Sequence, residues 1–263
     1  MTAPAAAGAD STPPALRGVG LDQRLGEVVP AALTFRDEAG KPVQLAEYLG
    51  KGPVILTLNY YECPMLCTLQ LKGLVSALRT LSLEPERDFT IVTVSINPKE
   101  TPDLAARKKA AYVKEYHRKG AEAGWHFLTG EEAPIRELAK AVGFRYSFDQ
   151  ASGQYAHAAG IMILTPDGRL SRYFYGVEIA PRDLRLGLVE SSAGRIGNLA
   201  DVVLLYCFHY DPATGRYGVA ALTSMRVGGA ATVLALGTFV LLMLRRETRR
   251  RRRNERETSP RVV

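Results

Sequence analysis

Residues 53–85 read PVILTLNYYECPMLCTLQLKGLVSALRTLSLEP. The first nine, Pro53 to Tyr61, form a continuous apolar run, the pattern of a strand buried on both faces. From Pro64 the period changes. Leu66, Leu69, Val75, Leu78 and Leu81 recur at helical spacing and predict an amphipathic helix ending near Pro85. A buried strand feeding directly into a helix is the basic step of an α/β fold. Two of the chain's three cysteines, Cys63 and Cys67, sit at that junction.

The same alternation continues on both sides. Upstream, ALTFRDEAGKPVQLAEYLGK predicts a short hairpin that turns at Glu38-Ala39-Gly40-Lys41. Downstream, Phe89 to Asn97 (FTIVTVSIN) is a second buried strand. TPDLAARKKAAYVKEYHRKG then predicts a helix with Thr101 as N-cap, Pro102 in the first turn and Gly120 as its stop. A short strand over Trp125 to Leu128 and a helix over Glu132 to Val142, closed by Gly143, come next. AGIMILTPDGRLSRYFYG is a hairpin with Pro166-Asp167-Gly168 in its turn, and Asp183 to Ser192 is a last helix. The order predicts an α/β domain with a mixed sheet flanked by helices over residues 28–192, behind a flexible lead-in at 1–27. Residues 193–224 read as a connector.

Net charge is +7, which by itself would suggest a nucleic-acid partner. The tail at 245–263 holds nine Arg against three Glu and so carries nearly all of it, so the basicity is local and argues against nucleic acid as the partner of the whole chain. Immediately before the tail, VGGAATVLALGTFVLLML (Val227 to Leu244) is eighteen residues without a charge. That length is about the minimum that crosses a hydrocarbon core of ~30 Å. An apolar run followed by an arginine block predicts a single C-terminal transmembrane helix, at 225–244, with the tail cytoplasmic. The main domain then lies on the periplasmic side of an inner membrane. The first residues, MTAPAAAGADSTPP, lack a basic region and an apolar stretch and resemble the sequence around and beyond a leader cleavage site.

The cysteine pair admits three readings: a local disulfide, a redox catalyst or a metal clamp. Helix N-termini present unpaired N–H groups and a partial positive charge, so a lowered thiol pKa is expected there. Residues i and i+4 share a helix face, which lets Cys63 and Cys67 converge. Among the histidines, His117 lies on a charged helix face and His126 beside Trp125 reads as a hydrogen-bonding residue at a strand end. Cys207 and His209 are two apart in LLYCFHYDP, a spacing that puts both side chains on one face of an extended segment. That pair reads either as a further metal-binding pair or as an aromatic packing cluster.

Cys63-Pro64-Met65-Leu66-Cys67 after an apolar strand resembles the C-P-x-x-C motif of the Sco/SenC family of copper-binding assembly proteins. SINPKETPDLAARKKAAYV resembles that family's next strand, turn and helix. WHFLTG and AHAAGIMILTPDGRLSRYFYG resemble the stretch that carries its functional histidine, here His157. Thr68 stands where many members have Pro, and Ala156 where many have a carboxylate. The resemblance implies a thioredoxin-like fold and copper held by Cys63, Cys67 and His157. It further implies a metallochaperone, not an enzyme with turnover, that builds the dinuclear copper site of cytochrome c oxidase. Its partner would be the copper-bearing subunit of that oxidase or another copper protein. Two thiolates and an imidazole are a soft set suited to Cu(I) and able to hold Cu(II). The alternative is a periplasmic thiol–disulfide oxidoreductase with Cys63 as nucleophile and Cys67 as resolving thiol, and it needs no third ligand.

Overall fold

The computed structural model describes residues 18–63 and 66–196, together with isolated positions between 210 and 243. Its elements run β1 (Gly20–Leu21), β2 (Thr34–Arg36), β3 (Pro42–Gln44), β4 (Val54–Asn59), α1 (Leu66–Arg79), β5 (Thr90–Ser95), α2 (Pro102–Tyr116) and α3 (Ala121–Gly124). There follow β6 (Trp125–Leu128), α4 (Glu132–Ala141), β7 (Phe144–Asp149), β8 (Gln154–His157), β9 (Gly160–Leu164), β10 (Leu170–Tyr175) and α5 (Pro181–Ser192). All belong to a compact unit that ends at Asn198; a second unit follows from Leu199.

Every residue of β4 is buried, the polar Thr57 and Asn59 included, as a strand covered on both faces requires. It is the middle strand of a mixed sheet in the order β10-β9-β4-β5-β6, parallel to β5 and antiparallel to β9. Successive side chains alternate between two cores. Leu56 and Leu58 join Val92, Val94 and Leu138 of α4 on one face. Ile55 joins Ile91, Trp125, Leu74 of α1 and Tyr112 of α2 on the other. Helices therefore cover both faces, and each fully buried Leu or Ile contributes roughly 1.5–3 kcal/mol.

Several boundaries differ from the sequence reading for identifiable reasons. Helix α1 stops at Arg79, not near Pro85, and Leu81 packs into the core from the loop beyond. Helix α2 ends at Tyr116, not at Gly120. His117 takes up the left-handed cap (φ 50) and its N–H donates to the Val113 carbonyl, while Gly120 opens α3 instead. Ordered structure also reaches into the expected flexible lead-in, because β1 pairs with β7 (Gly20 opposite Arg145). Residues 1–17 lie outside the described residues.

Strands β7 and β8 were not expected. They pair antiparallel, with Tyr146 opposite His157, and with β1 make a second, three-stranded sheet. The expected span at 227–244 is described only at isolated helical positions such as Val233 and Leu236. Among the described residues no helix is long and apolar enough to cross a membrane. Cys207, His209 and the arginine tail lie outside the described residues.

Candidate metal centre

Where β4 ends, the chain makes a turn closed by the Cys63 N–H donating to the Tyr60 carbonyl, at 3.3 Å. Cys63 thus lies ahead of α1, and Cys67 is the second residue of the helix. Their approach is that of a sulfur cap. The Cys67 N–H, one of the donors a helix start leaves over, donates to Cys63 Sγ at 3.4 Å. The thiols are not joined in a disulfide. Pro64 and Met65, between them, lie outside the described residues.

The third member arrives from the far side of the fold. His157 closes β8, and its Nε2 lies 2.9 Å from Cys67 Sγ. Its Nδ1 is 2.9 Å from the Ala158 carbonyl, which can only accept, so Nδ1 carries the proton. Nε2 is left with its lone pair directed at the thiol, and the Cys67 S–H donates to it. This orienting bond is the device that fixes a histidine's tautomer at many metal sites. The Phe144 and Tyr60 rings flank the imidazole, with centroids at 5.9 and 5.8 Å.

Burial sets the electrostatics. Desolvation holds the His157 imidazole below its ordinary pKa, against the raising effect of the Ala158 bond. Desolvation also pushes the Cys67 thiol far up, with further raising from the neighbouring Cys63 sulfur. The lowered thiol pKa expected from the helix N-terminus is thus reversed at Cys67, because loss of solvation outweighs the helix's partial charge. Without an ion the pair is a neutral thiol and a neutral imidazole.

Glu100, which sequence reasoning passed over, holds the approach to Cys63. It is 7% exposed, between β5 and α2. Its carboxylate accepts from the N–H groups of Tyr61 and Glu62, each at 2.8 Å, and from the Ser95 hydroxyl. The only sequence signal was an acid directly before a helix N-cap at the end of a buried strand. His126 has a different setting: its ring lies tilted at 45° against Tyr48, centroids 4.5 Å apart, and it is hydrogen-bonded to the backbone of Ala123.

One ligand atom from each of Cys63, Cys67 and His157 lies within 4.8 Å of the others. Thiolate and imidazole bonds of about 2.0–2.3 Å to a shared ion allow ligand atoms up to ~4.6 Å apart, so the cluster needs only small shifts to close. The proton shared between Cys67 and His157 is what an ion would replace. A mixed α/β thioredoxin-like domain that gathers two thiols and an oriented imidazole at a strand–helix junction is, as a class, a candidate metal-binding protein.

Comparison with known proteins places it further. The family model SCO1/SenC matches residues 22–185, and the chain belongs to that family. Among curated proteins it is 28% identical over 143 residues to the mitochondrial protein SCO2 homolog of Mus musculus. The match spans 52% of each chain, so about half the length of that relative. The SCO1 protein homolog of Bacillus subtilis is 27% identical over 171 residues, covering 64% of this chain and 83% of the relative. A crystal structure from Aquifex aeolicus VF5, named for electron transfer, shares 28% identity with a TM-score of 0.56. That match covers 65% of this chain and 96% of the other.

Proposed function

We propose that this chain is a membrane-anchored copper metallochaperone that binds one copper ion through Cys63, Cys67 and His157 and delivers it to the dinuclear copper site of cytochrome c oxidase. The observation that carries the reading is the convergence of two sulfurs and an unprotonated Nε2 within 4.8 Å. Copper, when bound, supplies a soft acceptor for thiolates and imidazole. The chain's residues do the rest. The Ala158 carbonyl orients His157, the α1 N-terminus brings the sulfurs together, and Glu100 fixes the turn that carries Cys63. Three protein ligands leave room for a client's own thiols to enter and displace them. The apolar run at 227–244 with its arginine flank supports anchoring with the domain periplasmic.

The oxidoreductase reading retains one supporting feature, the N–H of Cys67 aimed at Cys63 Sγ, which favours a thiolate there. It gives no role to the Nε2 lone pair of His157. Metal analysis of the reduced full chain after exchange into copper-free buffer separates the two. Wild type should retain one copper, Cys63→Ser and Cys67→Ser almost none, and His157→Ala bind more weakly. Wild-type protein without copper but active in reducing a disulfide substrate, unaffected by His157→Ala, would overturn the proposal.

A further inference from the structure

The three candidate ligands are buried, with Cys63 at 8%, Cys67 at 3% and His157 at 6% exposure. Any ion, chelator or client thiol must therefore pass a side chain to reach them. A groove of about 780 Å³ lies alongside, between Asn97, Pro98 and Leu104 on one wall and Phe148 and Tyr155 of the β7–β8 hairpin on the other. Tyr60 lines this groove and also touches the centre. Its ring meets His157 nearly edge-on, at 5.8 Å and 81°, and contacts Tyr155 at 5.7 Å. Its hydroxyl lies on the side of the Cys63 side chain. Only 6% of Tyr60 is exposed.

We propose that Tyr60 is a positioning residue and the gate of the metal centre: its ring closes the groove over His157, and its hydroxyl donates to Cys63 Sγ. The inference rests on the copper reading for what passes the gate, and on the ring contacts and the groove for the gate itself. The phenol is a donor here and not a ligand. A hydrogen bond to a ligating sulfur draws electron density from it and tunes the ion it holds. Ring and hydroxyl therefore have separable effects. Losing the hydroxyl alters the sulfur's bonding while leaving the groove closed, whereas losing the ring opens the route.

The test uses the reduced full chain in detergent, comparing wild type, Tyr60→Phe, Tyr60→Leu and Tyr60→Ala. Phe148→Ala, a half-exposed position on the same groove, serves as control. Iodoacetamide alkylation of metal-free protein, followed at Cys63 and Cys67 by peptide mass, reads access without copper. The sulfur-to-Cu(II) charge-transfer band and the rate of Cu(I) removal by a chelator read the loaded site. Tyr60→Phe should keep one copper and move the band to longer wavelength. Tyr60→Ala should speed alkylation and copper removal by about tenfold or more, the scale of losses seen for residues that support metal ligands. Phe148→Ala should match wild type. An unmoved band in Tyr60→Phe, with Tyr60→Ala rates close to wild type, overturns the proposal. If Tyr60→Ala does not fold, Tyr60→Leu takes its place in the same comparison. If wild type takes no copper, the copper reading fails, and the alkylation rates alone decide the gate.

Discussion

Glu100 is a carboxylate with three donors and little water, and its behaviour follows from both. Its three hydrogen bonds lower its pKa, yet desolvation wins and the folded-state value is raised above the ordinary 4.5. A raised value means the folded state holds the proton more tightly. The stability it contributes is full below pH 4.5 and declines as pH rises through the raised value. Glu100→Gln cannot accept both backbone N–H bonds, because its amide nitrogen is itself a donor. The variant should lose about 1–3 kcal/mol in urea unfolding. Its deficit against wild type should also narrow with rising pH, since it lacks that decline. A deficit that widened with pH would contradict the assignment. Cys67 gives a second reading at this scale. Burial raises its pKa, so its thiolate ultraviolet absorbance should be missing from the metal-free protein at pH 9.0, the ordinary value. Stability linked to this thiol is full below pH 9.0 and falls as pH rises through the raised value. The sequence showed the spacing of these groups but not their desolvation. At Cys67 desolvation therefore outweighs the partial charge of the helix N-terminus.

At the scale of elements, the central strands and α1 were legible because they are long and of one period: β4 and β5 as apolar runs, α1 as recurring leucines. The hairpin that carries His157 was missed. Its signal was present in Phe144, Tyr146 and Phe148 alternating with Arg145, Ser147 and Asp149, which is period two. The strand β8 is four residues long, too short to show a period of its own. His157 was consequently reached through family resemblance and not through its element. Helix α1 has one tight constraint. A Cβ on Gly73 would run into the Val177 carbonyl oxygen in the segment before α5. Gly73→Ala should therefore force α1 off that segment and cost about 1–3 kcal/mol by chemical denaturation. A variant as stable as wild type would show that the loop gives way freely. Gln70, on the same helix, donates to the Gly160 carbonyl at 2.7 Å and ties α1 to the start of β9, three residues after His157. Strain at Gly73 should for that reason also weaken copper retention, which metal analysis of the same variant checks.

The whole molecule combines a domain with the ligand set and a C-terminal segment that the sequence marks for a membrane. The division at Asn198 predicts that removing residues 199–263 leaves the domain's urea midpoint unchanged. Expressed in bacteria, the full chain should stay with alkaline-washed membranes, whereas a chain ending at 224 should wash off. Recovery of the full chain in the soluble fraction would refute the anchor while leaving the metal centre untouched. That centre is tested most directly by X-ray absorption at the copper edge on loaded wild type and His157→Ala. Two sulfur neighbours and one nitrogen are expected in wild type, with the nitrogen lost or replaced by a light solvent ligand in the variant. An unchanged imidazole signal in His157→Ala, or a single sulfur in wild type, would contradict a copper site built from Cys63, Cys67 and His157.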